Sequence, residues 1–273
     1  MKKRAVFVTG ACAGTGFAIA ARFAGEGYGV FVTGRQGERA EAAAAEIEKT
    51  YGTFARGYEL DIRNEERVKE IFSDIDKTEY TVQTVVLNAA DLGFGTDPAV
   101  GMKFFDVSVE EFGRVFETNL VWNFMIVRQA ALRMKEYHKG AVVFIGSNTA
   151  ERAIPNRSAY CASKGGMISM SRAFAVDLGP YGIRSNVVLP GTIKTERWKK
   201  MGSAQIVNGT LTPIGDISDF EDIANAAYFL GSDMAKNITG TELKVDGGMS
   251  VQLYPERLNE LDRKVREYEN SEK

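Results

Sequence analysis

Residues 4–9, Arg-Ala-Val-Phe-Val-Thr, form a short run whose interior offers no polar face, and this limits the fold more than any other stretch. A strand alternates its side chains, so Ala5, Val6, Phe7 and Val8 need cover on both sides at once. A parallel sheet between two helix layers provides that cover. Similar runs return at 29–33, 53–60, 81–87, 141–145, 183–189 and 242–245. Between them lie stretches of helical spacing, such as Phe17, Ile19, Ala20 and Phe23, or Val68, Ile71, Phe72 and Ile75 behind a capping Asn64. Ser108-Val109-Glu110-Glu111 fits a capping box and opens a long helix to about Tyr137. Further helices are expected at 158–178 and 219–230, whereas 192–218 has no clear period and reads as a lid or binding loop.

This alternation predicts an α/β fold: a doubly wound, Rossmann-like parallel sheet of about seven strands with helices on both faces. At 273 residues and 44% apolar content, without a linker or repeat, one domain over 1–250 is expected. Residues 251–273 read as a charged helical extension, with Leu258, Leu261, Val265 and Tyr268 forming a thin apolar stripe.

A net charge of −2 gives no reason to expect nucleic acid or an anionic membrane as partner. No apolar run reaches the ~18 residues needed to span a bilayer. The basic start, Met1 to Arg4, is followed by too short an apolar run to be a leader. Two cysteines make no disulfide framework, so the cytoplasm is the default location. The single histidine, His138, stands at an expected helix end with Gly140 as its stop, which argues against a histidine triad or a metal site.

Chemistry then has to come from elsewhere. Of ten tyrosines only Tyr160 has a lysine four positions on, Lys164, which places both on one helix face. A free phenol has a pKa near ~10, and lowering it to ~7 takes ~4 kcal/mol of differential stabilisation. A partly desolvated ammonium with a second cation is able to supply that. Gly10-x-x-x-Gly14-x-Gly16 lies between the first strand and the first helix, where glycines let the backbone approach a pyrophosphate and the helix N-terminus offers free N–H groups.

Together, Thr9-Gly10-x-x-x-Gly14-x-Gly16, Asn119, Ser147, Tyr160-x-x-x-Lys164, Pro190-Gly191 and Ile238-Thr239-Gly240…Asp246-Gly247-Gly248 resemble the short-chain dehydrogenase/reductase family over about residues 4–250. The resemblance implies an oxidoreductase with Tyr160 as general acid or base and Ser147 bonded to the substrate oxygen. Lys164 would tune Tyr160 and hold the nicotinamide ribose, and Asn119 would hold a relay water. Gly10, Cys12, Ala13, Gly14, Thr15 and Gly16 would cradle the dinucleotide, Asp61, Ile62, Asn88 and Ala89 its adenine end, and Pro190, Gly191, Ile193 and Thr195 its other end. It also implies a homotetramer or homodimer formed on the helices that start near Ser108 and Ser158. Reduction of a C=C bond fits less well, because relatives of that type usually space the tyrosine and lysine differently.

Two departures stand out. The family's Asn-Asn-Ala-Gly reads Leu87-Asn88-Ala89-Ala90, and the loop before Asn119 is longer, which suggests an enlarged entrance around Phe94, Phe104 and Phe105. At the end of the second strand Thr33-Gly34-Arg35 has no carboxylate, and Arg35 offers a charged fork suited to a 2′-phosphate, so NADP(H) is expected rather than NAD(H). Trp198, Met201 and Ile154 suit a hydrophobic ketone such as a steroid; Arg152, Arg197, Lys199 and Lys200 suit a sugar or polyol. A non-catalytic dinucleotide sensor or scaffold on this fold is the alternative.

Overall fold

A computed structural model describes residues 2–93, 101–199, 211–253 and 258–271. Its seven strands are β1 (Lys3–Val8), β2 (Gly29–Gly34), β3 (Ala55–Glu59), β4 (Tyr80–Leu87), β5 (Gly140–Ile145), β6 (Ile183–Pro190) and β7 (Glu242–Val245). They form one sheet in the order β3-β2-β1-β4-β5-β6-β7. Every pairing is parallel. The helices are α1 (Gly14–Gly25), α2 (Gly37–Tyr51), α3 (Glu65–Asp76), α4 (Val109–Phe116), α5 (Trp122–Met134), α6 (Ser158–Leu178), α7 (Glu196–Lys199), α8 (Phe220–Gly231) and α9 (Leu258–Ser271).

The two-sided reading of the first strand holds. Ala5 and Phe7 join one core with Val68, Ile71 and Phe72 of α3 and Ile126 of α5. Val6 and Val8 join the other, with Ile19 and Phe23 of α1, Ile47 of α2 and Ile223 of α8. Strand order reverses between β1 and β4, and such a switch point opens a crevice at the strands' C-terminal ends. Thr9 and Asn88 stitch that point: the Thr9 hydroxyl accepts from the Asn88 and Ala89 N–H groups, both at 2.9 Å. Asn88 Nδ2 donates back to the carbonyls of Thr9 (3.1 Å) and Gly10 (3.0 Å).

Local structure departs from expectation in three places. The long helix from Ser108 opens with its capping box, but a π-turn at Glu117–Val121 divides α4 from α5. The helix near His138 ends on His138 itself, which takes the left-handed conformation (φ 48°), not on a glycine. Gly140 instead starts β5, where a Cβ would press on Met134. The stretch after Gly191 is not wholly irregular, since it contains the short α7. Phe94, Lys200 and Met201 lie outside the described residues, as do the side chains of Arg197, Lys199, Leu258 and Leu261.

Candidate active site

The C-terminal ends of the strands gather nearly every residue singled out in the sequence. Gly10 (φ 63°) and Gly14 (φ 57°) bend the turn between β1 and α1. Gly16 follows so closely beneath it that a Cβ would collide with the Gly10 carbonyl and come within 2.6 Å of Asn88 Nδ2. No side chain caps the first turn of α1, which starts at Gly14 and includes Thr15. Two adjoining cavities share Gly10, Gly34 and Arg35. One, of about 630 Å³, is also lined by Cys12, Ala13 and Arg39. The other, of about 580 Å³, runs past Asp61, Ile62, Ala89 and Asp91. A glycine cradle that side chains would fill, next to an uncapped helix end and this elongated space, fits a dinucleotide.

Toward Asp61 and Asn88 the polar side chains have partners within the protein. Asn88 spends its amide on the Thr9–Gly10 turn, and the Asp61 carboxylate is gripped by Arg63 through Nε (3.0 Å) and Nη2 (2.7 Å). That bidentate hydrogen bond holds the Asp61 carboxyl below its usual range. Asp61 therefore serves as a fixed wall of the cavity. Arg35 is exposed, carries no ion pair among the described residues, and has Arg39 beside it in the same cavity. Arg39, in the first turn of α2, is a second cation of this cavity that sequence reasoning missed.

At the other end of the crevice, Gly191 N donates to Val245 O at 2.9 Å, and Ile193 forms an isolated bridge with Ser218. Thr195 Oγ1 accepts from Trp198 N at 3.2 Å. A Cβ on Gly191 would strike Asp246, so the Pro190–Gly191 step rests directly on the closing Asp246-Gly247-Gly248 turn.

Ser147 follows β5 and Tyr160 comes from α6, and their hydroxyls are hydrogen-bonded. The Ser147 oxygen also accepts from Thr149 N (3.2 Å) and Thr149 Oγ1 (2.9 Å). Tyr160 keeps part of its ring at the surface while its hydroxyl lies in buried surroundings. Burial pushes that hydroxyl's pKa up, and the Ser147 hydrogen bond and the Arg157 charge pull against it. Together these leave the Tyr160 pKa above the ordinary value of a phenol.

Lys164 is 2% exposed, with Nζ 5.6 Å from the Tyr160 ring centroid and 2.7 Å from the Ile145 carbonyl. Burial alone lowers its pKa to about 7. Asn119 sits in the π-turn, fully buried. Its side chain clamps the Asp91 backbone, accepting from N (2.8 Å) and donating to O (2.9 Å), and it also donates to Ser163 Oγ at 2.9 Å. The Asn119 carbonyl accepts from Asn123 Nδ2 at 2.8 Å. Its hydrogen bonds within the protein thus run to Asp91, Ser163 and Asn123. Asp91, Asn123, Thr149 and Ser163 are the partners sequence reasoning missed. Each is an ordinary polar residue in a helix or turn, and nothing in the sequence distinguishes it.

A parallel α/β sheet with a glycine cradle at its switch point, and a tyrosine, a serine and a buried lysine at the same edge, defines a nucleotide-dependent oxidoreductase fold. A family model described as enoyl-(acyl carrier protein) reductase matches residues 10–250. The chain belongs to the short-chain dehydrogenase/reductase family. It is 32% identical over 262 residues to 2-(S)-hydroxypropyl-CoM dehydrogenase 3 of Xanthobacter autotrophicus, covering 92% of this chain and 98% of that one. It is also 32% identical over 249 residues to the 3-oxoacyl-[acyl-carrier-protein] reductase FabG of Aquifex aeolicus, covering 89% and 95%. A 3-oxoacyl-[acyl-carrier protein] reductase from Brucella melitensis, solved with bound NAD, superposes with a TM-score of 0.82 at 27% identity, covering 91% of this chain and 92% of that one.

Proposed function

We propose that the protein is an NADP(H)-dependent oxidoreductase that interconverts a secondary alcohol and a ketone. The observation that carries the reading is the convergence of Ser147, Tyr160 and Lys164 at the strand edge that also holds the glycine cradle. The dinucleotide supplies or takes the hydride. Tyr160 passes a proton to the substrate oxygen on reduction and removes it on oxidation. Ser147 donates to that oxygen as charge develops. Lys164 holds the nicotinamide ribose and favours the phenolate, and Asn119 fixes the Asp91 turn beside them.

Arg35 and Arg39 in one cavity favour a 2′-phosphate, hence NADP(H), whereas the Brucella relative was solved with NAD. The family model's description names C=C reduction, but a serine bonded to Tyr160 suits a substrate oxygen better. The relatives' names describe a hydroxypropyl and a 3-oxoacyl group, each on a larger carrier, so such compounds join ketosteroids and sugars as candidates. The test is NADPH and NADH absorbance with acetoacetyl-CoA, ketosteroids and ketoses. Turnover of a ketone with NADPH supports the reading, and silence across the panel overturns it.

The alternative, a non-catalytic dinucleotide sensor, draws on the raised pKa of the Tyr160 hydroxyl, since a binder needs no acidic phenol. We also place the protein in the cytoplasm as a homo-oligomer, tetramer or dimer. The exposed Val121 on the π-turn before α5, Phe124 and Leu132 on α5, Val176 on α6 and Tyr181 on the turn after α6 support that assembly. Among the described residues no helix is long and apolar enough to cross a membrane. Val265 and Tyr268 of α9 are partly covered, which fits docking of the 251–273 extension, and deletion of 255–273 followed by mass measurement tests this.

A further inference from the structure

Two glycines in the segment between β4 and α4, Gly93 and Gly101, meet the same side chain. The Gly93 carbonyl (φ 63°) lies 3.5 Å from Arg157 Nη1, which also donates to Asn156 O at 3.2 Å. Gly101 (φ 80°) lies so close that a Cβ there would collide with the Arg157 guanidinium and stand 2.6 Å from the Asn156 carbonyl. Next to it, Met102 N donates to Asn156 O at 3.1 Å. Arg157 is 7% exposed and occupies the N-cap position of α6, three residues before Tyr160. On the other side Gly93 packs on the tyrosine itself, where a Cβ would come within 3.2 Å of Tyr160 Cβ. Met102, Ala159 and Val115 form a small apolar cluster under this contact.

Burying a guanidinium is costly unless its N–H groups find acceptors. A planar fork is suited to reaching two chain segments at once, which a lysine ammonium is not. The glycines complete the fit, because at both positions a side chain would take the space that the guanidinium or Tyr160 fills, and both have the positive φ that glycine adopts freely.

We infer that Arg157 is a positioning residue: its buried guanidinium clasps Gly93 and Gly101 to the start of α6, and so sets the wall of the substrate mouth against Tyr160. The inference rests on the oxidoreductase reading for its effect on turnover, while the clasp itself does not.

The test uses the full-length protein, with Arg157→Met, Gly101→Ala and the double variant. Amide exchange of residues 101–107 is expected to speed up about tenfold in each, equivalent to loss of one modest hydrogen bond, with β4 and β5 unchanged. With NADPH and the ketone best reduced in the panel, KM is expected to rise about tenfold in each variant, with the NADPH Kd within about twofold throughout and kcat within about twofold in Gly101→Ala, which keeps the Arg157 charge. The double variant should be no worse than the poorer single one, since both disturb one contact. Unchanged exchange, additive losses, or NADPH affinity falling in step with activity would overturn the proposal. Arg157→Lys keeps the charge but not the fork, should speed exchange likewise, and decides the matter if Arg157→Met does not fold. If no ketone is turned over, the exchange result still settles the clasp, and the oxidoreductase reading fails separately.

Discussion

Lys164 Nζ donates to the main-chain carbonyl of Ile145 at 2.7 Å, and among the described residues no carboxylate pairs with that buried ammonium. The lysine is therefore held at the end of β5 by a neutral dipole, and its pKa falls to about 7. This sets a pH dependence of stability. The unfolded chain, with a lysine pKa near ~10.4, binds more protons than the folded one between about pH 7 and 10. Stability of the cofactor-free protein should rise with pH through that window, with the burial penalty fully present below about pH 7. Lys164→Met should gain on the order of a few kcal/mol at pH 6 and little at pH 10, read from urea unfolding at each pH. A gain that does not shrink as pH rises would contradict the assignment.

Tyr160→Phe removes only the hydroxyl bonded to Ser147. Turnover should fall by about 10²–10⁴-fold, the usual share of general acid–base catalysis, with NADPH binding kept. Stopped-flow reduction and fluorescence titration separate the two, and residual turnover near wild type would point to a different proton donor.

Arg35 and Arg39 face one cavity, and among the described residues no carboxylate pairs with either. Replacing both with alanine should lower kcat/KM for NADPH about 10–100-fold, from loss of two charge-assisted contacts, and leave NADH nearly unchanged. Equal losses with the two cofactors would remove the phosphate role.

Asn119→Ala would leave the half-buried Asp91 N–H and C=O without their partner. The expected cost is about 2–4 kcal/mol, from two unsatisfied backbone groups, measurable by denaturant unfolding.

What the sequence made legible was what period and spacing encode. The two-sided strands and the amphipathic α1 and α3 follow from local pattern, and the glycine turn follows from backbone freedom at Gly10 and Gly14. Long-range polar contacts were not legible. Asp91 is an ordinary loop aspartate until the fold brings Asn119 against its backbone, and Arg157 reads as a surface arginine until Gly93 and Gly101 close over it. Likewise, nothing in Phe116-Glu117-Thr118-Asn119 signals a π-turn, because helix propensity does not distinguish an i+5 bond from an i+4 bond.

The π-turn also acts as a spacer. By admitting one more residue than an α-helix would, Glu117–Val121 sets the angular phase between α4 and α5. Removing a single residue there should close the turn into ordinary α-helix and leave Val115 and Phe112 near their present direction relative to Ile126 and Ala130, whereas adding one would swing them about 100° around the axis. With that insertion one flank would turn its greasy side to water while the other stayed seated, so this short stretch should tolerate the loss of a residue far better than a gain.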